Sequence, residues 1–211
     1  MHTLIVNAHP DPQAQDSATH HMVQHLLRHL PAGNAQVLKL AEAPPPQLDV
    51  KMRSVFIKTV FEQVELNPEE TALAERMGAL VAQLKAASRV VIALPMYNFG
   101  IPARLKDWLD NIVVPGETFA YGADGYPQGL MGGRKALVLI ASGGVFSEGS
   151  YAHMDFATPY LRALLRDFLG FDRVEVVRAE GTQQAPAIGM DKALTQAFAA
   201  LDACLPDFLA N

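Results

Sequence analysis

Three short stretches of this 211-residue chain carry residue types suited to chemistry, and none of them contains an obvious nucleophile. The first runs from His9 through "HPDPQAQDS" to Asp16, Ser17, Ala18 and Thr19, where an apolar pattern at helical spacing begins. Backbone N–H groups at a helix start, with hydroxyls beside them, suit an anion such as a phosphate and need no lysine. Asp16 or Ser17 also reads as a plain helix cap, and the two readings are compatible. His9 reads either as a hydrogen-bonded turn residue or as a contact to that anion. The second stretch is "PMYNFG", residues 95 to 100. A flat heteroaromatic ring needs apolar surface against one face and amide groups at its polar edge. Met96, Tyr97, Asn98 and Phe99 supply these, and Gly100 lets the backbone come close. A packed loop whose rings join the core is the competing reading. The third stretch, "ASGGVFSEG", places Gly143 and Gly144 where backbone N–H groups can face a ring's carbonyl oxygens, although turns also use glycine pairs routinely. No Ser-His-Asp or Cys-His arrangement supports a hydrolase. His20, His21, His25 and His29 share the first helix. His21 and His25 have metal-compatible spacing, but no third ligand is evident, so a solvated face is expected and no metal.

These stretches must be positioned by the elements around them. "TLIVNA" (3–8), "AQVLKL", "SRVVIALP", "RKALVLIASGG" and "RVEVVRAEG" read as five strands. Met22, Val23, Leu26, Leu27 and Leu30 mark a helix between the first two. "NPEETALAERMGALVAQLKAA" predicts another, with Asn67 as N-cap and Pro68 at the first helical position. Further helices are expected over 102–113, 156–169 and 188–209. Residues 44–68 read as irregular, with an apolar patch at Val55, Phe56, Ile57, Val60 and Phe61. Residues 114–134 read as an insertion in which "GETFAYGADGYPQG" forms a loop or small hairpin. Strands alternating with helices predict a parallel sheet covered on both faces. The expected fold is α/β, a flavodoxin-like doubly wound sheet of five parallel strands in the order 2-1-3-4-5, as one domain over residues 1–211. A Rossmann dinucleotide domain competes, but its glycine-rich turn should follow strand one, and "NAHPDPQAQDSAT" has no glycine. In a doubly wound sheet ligands sit at the carboxyl ends of the strands, and all three chemical stretches follow strands.

Bulk properties narrow the function further. Half of the residues are hydrophobic and 18% are charged, which fits a folded chain with a substantial core. A net charge of -5 argues against general nucleic-acid binding. The single cysteine, Cys204, forms no internal disulfide, consistent with a reducing compartment. The start "MHTLIVNAHP" lacks a signal-peptide pattern, and no apolar stretch suits a membrane span. A cytoplasmic location is expected.

The sequence resembles the FMN-dependent NADH:quinone oxidoreductases, also called bacterial azoreductases. The resemblance rests on "PMYNF" (95–99), "LKDWLD" (105–110), "GETFAY" (116–121), "PQGLMGGRKALVLIASGG" (127–144), "TPYLRALLRDFLGF" (158–171) and "AEG" (179–181), in family order over most of the chain. It implies a flavodoxin-like homodimer with flavin sites at the subunit interface. It places the FMN phosphate near His9, Gln15, Asp16 and Ser17. The isoalloxazine ring would lie between Pro95, Met96, Tyr97, Asn98 and Phe99 on one side and Ser142, Gly143, Gly144 and Val145 on the other. NADH or NADPH, then a quinone or azo compound, would occupy one pocket in turn, giving ping-pong two-electron transfer through flavin N5. No catalytic side chain is required, and Asn98, Gly143 and Gly144 would tune the flavin. Phe56, Phe99, Phe119 and Tyr121 would wall the substrate pocket, with a loop anchored on the core as the other reading of Phe119 and Tyr121. The 55–61 patch would serve the dimer interface and cap the partner's flavin, or else pack internally.

The first loop departs from the family's serine-rich form. Its His-Pro start is similar to mammalian-type quinone reductases and potassium-efflux ancillary reductases, whose flavin can be FAD. Ser142 stands where an arginine is frequent, and Phe146 where a histidine often follows. An FAD-binding reductase and a flavin-binding electron carrier are the alternatives.

Overall fold

A computed structural model of the chain describes residues 2–184 and 188–210. Its strands are β1 (Thr3–Asn7), β2 (Ala35–Lys39), β3 (Arg89–Pro95), β4 (Phe119–Tyr121), β5 (Pro127–Gly129), β6 (Lys135–Ala141) and β7 (Arg173–Ala179). Its α-helices are α1 (Ala18–His29), α2 (Val50–Phe56), α3 (Pro68–Ala86), α4 (Ala103–Ile112), α5 (Ala157–Arg162) and α6 (Gly189–Leu209). Five strands form a parallel sheet in the order β2-β1-β3-β6-β7. With β6 and β7 as the fourth and fifth sheet strands, this is the order expected from the sequence. The remaining pair, β4 and β5, is an antiparallel hairpin outside the sheet, as the 114–134 insertion suggested.

Burial explains the order. Every residue of β3 and nearly every residue of β6 is buried, as the central strands of a sheet covered on both faces must be. Side chains alternate between two cores. Leu4, Val6, Val90, Ile92, Leu94 and Val138 face Leu84, Trp108, Leu109 and Leu161 of α3, α4 and α5. Ile5, Val91, Ala93, Leu137 and Leu139 face Met22 and Leu26 of α1 and Leu201, Leu205 and Phe208 of α6. The α3 start follows its sequence signature: Asn67 caps it, Glu70 closes the capping box, and Pro68 enters at the first turn.

Two segments differ from expectation. Residues 44–68 contain α2, capped by Asp49, which accepts the Met52 N–H at 2.8 Å. The helix widens into a π-helical turn at Ile57–Glu62, where the Thr59 hydroxyl donates to the Val55 and Phe56 carbonyls and competes with the backbone ladder. The predicted helix over 156–169 likewise divides into α5 and a π-helical turn at Ala163–Phe168.

The hairpin is rooted at the amino-terminal end of the sheet. Lys85, at the end of α3, pairs with Glu117 at 2.6 Å, and the Arg134 Nε–H donates to the Ala87 carbonyl. The Met131 N–H donates to the Leu169 carbonyl at 2.9 Å. A Cβ at Gly129 would stand 2.2 Å from the Leu169 backbone, so only glycine permits this docking.

Candidate functional site

At the other end of the sheet, three segments leave adjacent strands side by side. The Ala8 N–H donates to the Ala93 carbonyl at 2.8 Å, and the Met96 N–H to the Ala141 carbonyl at 2.7 Å. The chemical loops after β1, β3 and β6 are therefore neighbours in space.

After β1, buried Asn7 accepts the His9 N–H at 3.0 Å and fixes the start of the loop. His9 turns Nδ1 toward the Asp11 backbone, 3.1 Å from its nitrogen and 2.5 Å from its oxygen. Its Nε2 has no partner among the described residues. Gln15 and Asp16 are exposed, so the Asp16 carboxylate can stay in water instead of facing an anion. Ser17 caps α1, accepting the His20 N–H at 3.4 Å, and the first turn carries no acid. The Ala18 and Thr19 N–H groups precede the first helical hydrogen bond and are paired with nothing described. The Thr19 hydroxyl does not join them: the residue is fully buried, and its oxygen has no hydrogen-bond partner among the described residues.

After β3, Tyr97 and Gly100 close a tight turn with reciprocal backbone bonds of 3.2 and 3.0 Å. Asn98 and Phe99 between them take φ of 47° and 68°. That left-handed geometry disfavours any residue with a Cβ, at about 1–3 kcal/mol each. Pro95 is buried and Met96 packs on the core, whereas Tyr97 and Phe99 remain 47% and 39% exposed. The strain holds two rings and an amide at the strand end without burying them.

After β6, the loop is tied down through its carbonyls. The Ser142 hydroxyl donates to the Gly144 carbonyl at 2.8 Å. The Gly143 and Gly144 carbonyls accept N–H groups of Gln183 and Gly181 at 3.2 and 3.1 Å. The N–H groups of Gly143, Gly144 and Val145 carry no hydrogen bond among the described residues. A Cβ at Gly143 would stand 3.0 Å from the Gln183 side-chain oxygen, so a larger residue there has to move that side chain. The Phe146 ring meets the Phe99 ring edge-on at 5.9 Å, joining the second and third loops.

A group of residues not singled out in the sequence holds this arrangement. Glu180 accepts the Phe146 N–H at 2.9 Å and pairs with Arg178 at 3.1 Å. Arg178 also donates to Asp155 at 2.5 Å and to the Thr158 hydroxyl at 2.6 Å. Asp155 accepts the Ala157 and Thr158 N–H groups at the start of α5, and the Phe156 N–H donates to the Phe99 carbonyl. Burial alone would raise the Asp155 carboxyl, but the Thr158 N–H, the Arg178 guanidinium and the Thr158 hydroxyl outweigh it and hold it below the ordinary range. The available signal was "AEG", which puts Glu180 at a fourth strand end.

The four expected wall residues are not brought together within one chain. Phe99 stands at the carboxyl end of the sheet. Phe119 lies in the hairpin rooted at the opposite end, roughly 20 Å away along a seven-residue strand. Phe119 is only 5% exposed and packs on Phe168 at 4.8 Å, so within its own chain it anchors the hairpin. Tyr121 rests edge-on against Phe119 and is 66% exposed. Phe56 meets Phe61 at 5.9 Å and lines a groove of about 820 Å³ with Val60, Met77, Val81, Val114 and Pro115. That groove runs from α2 to the hairpin root.

The bare N–H groups after β6, the helix start after β1 and the strained aromatic turn after β3 together fit a phosphorylated flavin: an anion at one end, a flat ring with polar edges at the other. Comparison with known proteins agrees. A family model described as "Flavodoxin-like fold" matches residues 1–205. The chain is 36% identical to FMN-dependent NADH:quinone oxidoreductase 1 of Lactiplantibacillus plantarum, covering 98% of both. It is 37% identical to the FMN-dependent NADH:quinone oxidoreductase of Bordetella avium, covering 88% of both. The crystal structure of an FMN-dependent NADH-azoreductase from Bacillus anthracis in complex with FMN superposes with a TM-score of 0.89 at 34% identity, covering all of both chains. The chain belongs to the flavodoxin-like family and, within it, to the FMN-dependent NADH:quinone oxidoreductases.

Proposed function

We propose that the protein is an FMN-dependent NADH:quinone oxidoreductase that also reduces azo compounds, built as one flavin-binding domain over residues 1–211 and acting as a homodimer in the cytoplasm. The observation that carries the chemistry is the run of unpaired N–H groups at Gly143, Gly144 and Val145, set beside the strained Tyr97–Gly100 turn. Bound FMN would supply hydride transfer at its N5. The chain supplies position and charge. The N-terminus of α1, with Ser17, Gln15 and the free Nε2 of His9, would hold the phosphate. Pro95 to Phe99 and Ser142 to Val145 would flank the ring. The 143–145 N–H groups and the Asn98 amide would stabilise negative charge at its polar edge. The FAD reading suggested by the His-Pro start is not favoured, because both relatives and the structural neighbour are FMN proteins by name.

The separation of the wall residues supports the homodimer. Phe99 lacks an opposing wall in its own chain, while Phe56, Tyr121 and the apolar groove lie at the far end without one. A second copy, bringing its groove and hairpin over the strand ends, supplies both needs at once. One pocket open to donor and acceptor in turn gives ping-pong kinetics, seen as parallel double-reciprocal lines for NADH and quinone. Replacing Phe56 and Phe61 together by serine is expected to lower dimer mass and flavin retention together. Unchanged mass and flavin content would remove the shared pocket from the account.

A further inference from the structure

The first helix carries four histidines, and the fold brings a carboxylate to two of them. Asp202 of α6 lies with Oδ1 2.6 Å from His25 Nε2 and 3.5 Å from His29 Nε2. The three ligand atoms lie within 4.8 Å of one another. This is the third ligand that sequence spacing alone did not reveal, and it uses His25 with His29 instead of His21 with His25.

The protonation geometry is informative. His29 Nδ1 stands 2.9 Å from the His25 carbonyl oxygen, which only accepts, so Nδ1 carries the hydrogen. In neutral His29 the Nε2 lone pair then faces the Asp202 carboxylate, a placement that a cation between them, a proton or a metal ion, would satisfy. A backbone carbonyl holding the outer nitrogen of an imidazole is also the usual second contact of a metal-bound histidine. His25 is held flat against Phe198 at 4.3 Å, which limits its freedom before binding. His29 closes α1, where the negative end of the helix dipole favours a positive charge. Tetrahedral zinc with ligands near 2.1 Å sets ligand atoms about 3.4 Å apart. The His29–Asp202 spacing already matches, and the His25–Asp202 pair needs to open by less than about 1 Å on that same geometry.

We propose that His25, His29 and Asp202 form a surface site for a divalent transition-metal ion of the zinc type. Two imidazoles and one carboxylate suit that class over magnesium or calcium. The ion would tie α1, whose start faces the strand-end loops, to α6; as it takes His25 Nε2, the hydrogen held there moves to Nδ1, which keeps the imidazole a neutral ligand. The test is calorimetric titration of tag-free, chelator-treated, flavin-loaded protein with Zn²⁺ alone, beside His29→Gln, Asp202→Asn and His21→Ala. The expected result is one Zn²⁺ per chain and a higher unfolding temperature. Affinity should fall in His29→Gln and Asp202→Asn by at least the roughly 10–100-fold that loss of an outer-shell partner costs, and hold in His21→Ala. Retained flavin content in each variant shows that the fold is intact. Absence of Zn²⁺ binding, equal binding by His29→Gln and Asp202→Asn, or loss in His21→Ala would each overturn this ligand set.

Discussion

Phe99 and Phe119 are both phenylalanines near glycines, one in a loop and one in a strand, and they sit at opposite ends of the sheet with opposite roles. Phe99 occupies a left-handed conformation, φ 68°, and leaves 39% of its surface open. Phe119 sits in a regular strand, is 5% exposed, and packs on Phe168 and Tyr121. The carboxyl end accepts backbone strain to keep rings and N–H groups available to a ligand. The amino end uses the same residue type to anchor a hairpin. Composition does not separate these cases; the direction of the neighbouring strands does.

The largest expected effect breaks the comparison at Phe119. Phe119→Ala empties a core position and is expected to destabilise the fold by roughly 3–5 kcal/mol, read from the denaturant midpoint. Phe99→Ala is expected to cost less, about 1–2 kcal/mol, because the ring is already 39% exposed and gives up mainly its edge-on contact with Phe146. Its main effect falls on acceptor binding, as a raised KM for quinone with kcat little changed. Comparable stability losses in the two variants would show that the two ends are not specialised in this way.

Next in size is the support beneath the third loop. Asp155→Asn leaves Arg178 with Glu180 as its remaining carboxylate partner and is expected to destabilise by roughly 1–3 kcal/mol. The sign of its pH dependence follows from the depressed folded pKa of Asp155. Its contribution is complete above the unfolded value, near 3.9, and is lost as pH falls through the lower folded value. Wild-type protein should therefore lose stability more steeply than Asp155→Asn below about pH 4, a difference visible in acid titrations of circular dichroism.

The smallest effect is at the anion end. Ser17→Ala removes a long cap bond and should reduce stability by about 1 kcal/mol, with faster loss of FMN on dilution. A change in stability without a change in FMN retention would separate the cap from the phosphate site.

Much of this was legible in the sequence. Short continuous apolar runs located the five sheet strands, and the strand order followed from the doubly wound fold that their alternation with helices predicts. Asn67 and Pro68 marked α3 because a capping box is local chemistry. The three strand-end loops were found because a parallel sheet directs ligands to one edge. What escaped depended on distant partners. Thr19 reads as a cradle hydroxyl until the fold buries it. Phe119 and Tyr121 are two residues apart, yet only one is covered. Arg178, Glu180, Asp155 and Thr158 lie on separate elements, so no spacing connects them. Asp202 meets His25 across 177 residues of chain.

The most direct test of the central claim is an anaerobic absorption spectrum of the purified protein, with the released cofactor identified by mass. The account predicts flavin bands, FMN at one per chain, bleaching on NADH and recovery on addition of quinone. Colourless protein that takes up no FMN, or bound flavin that NADH does not bleach, would contradict it.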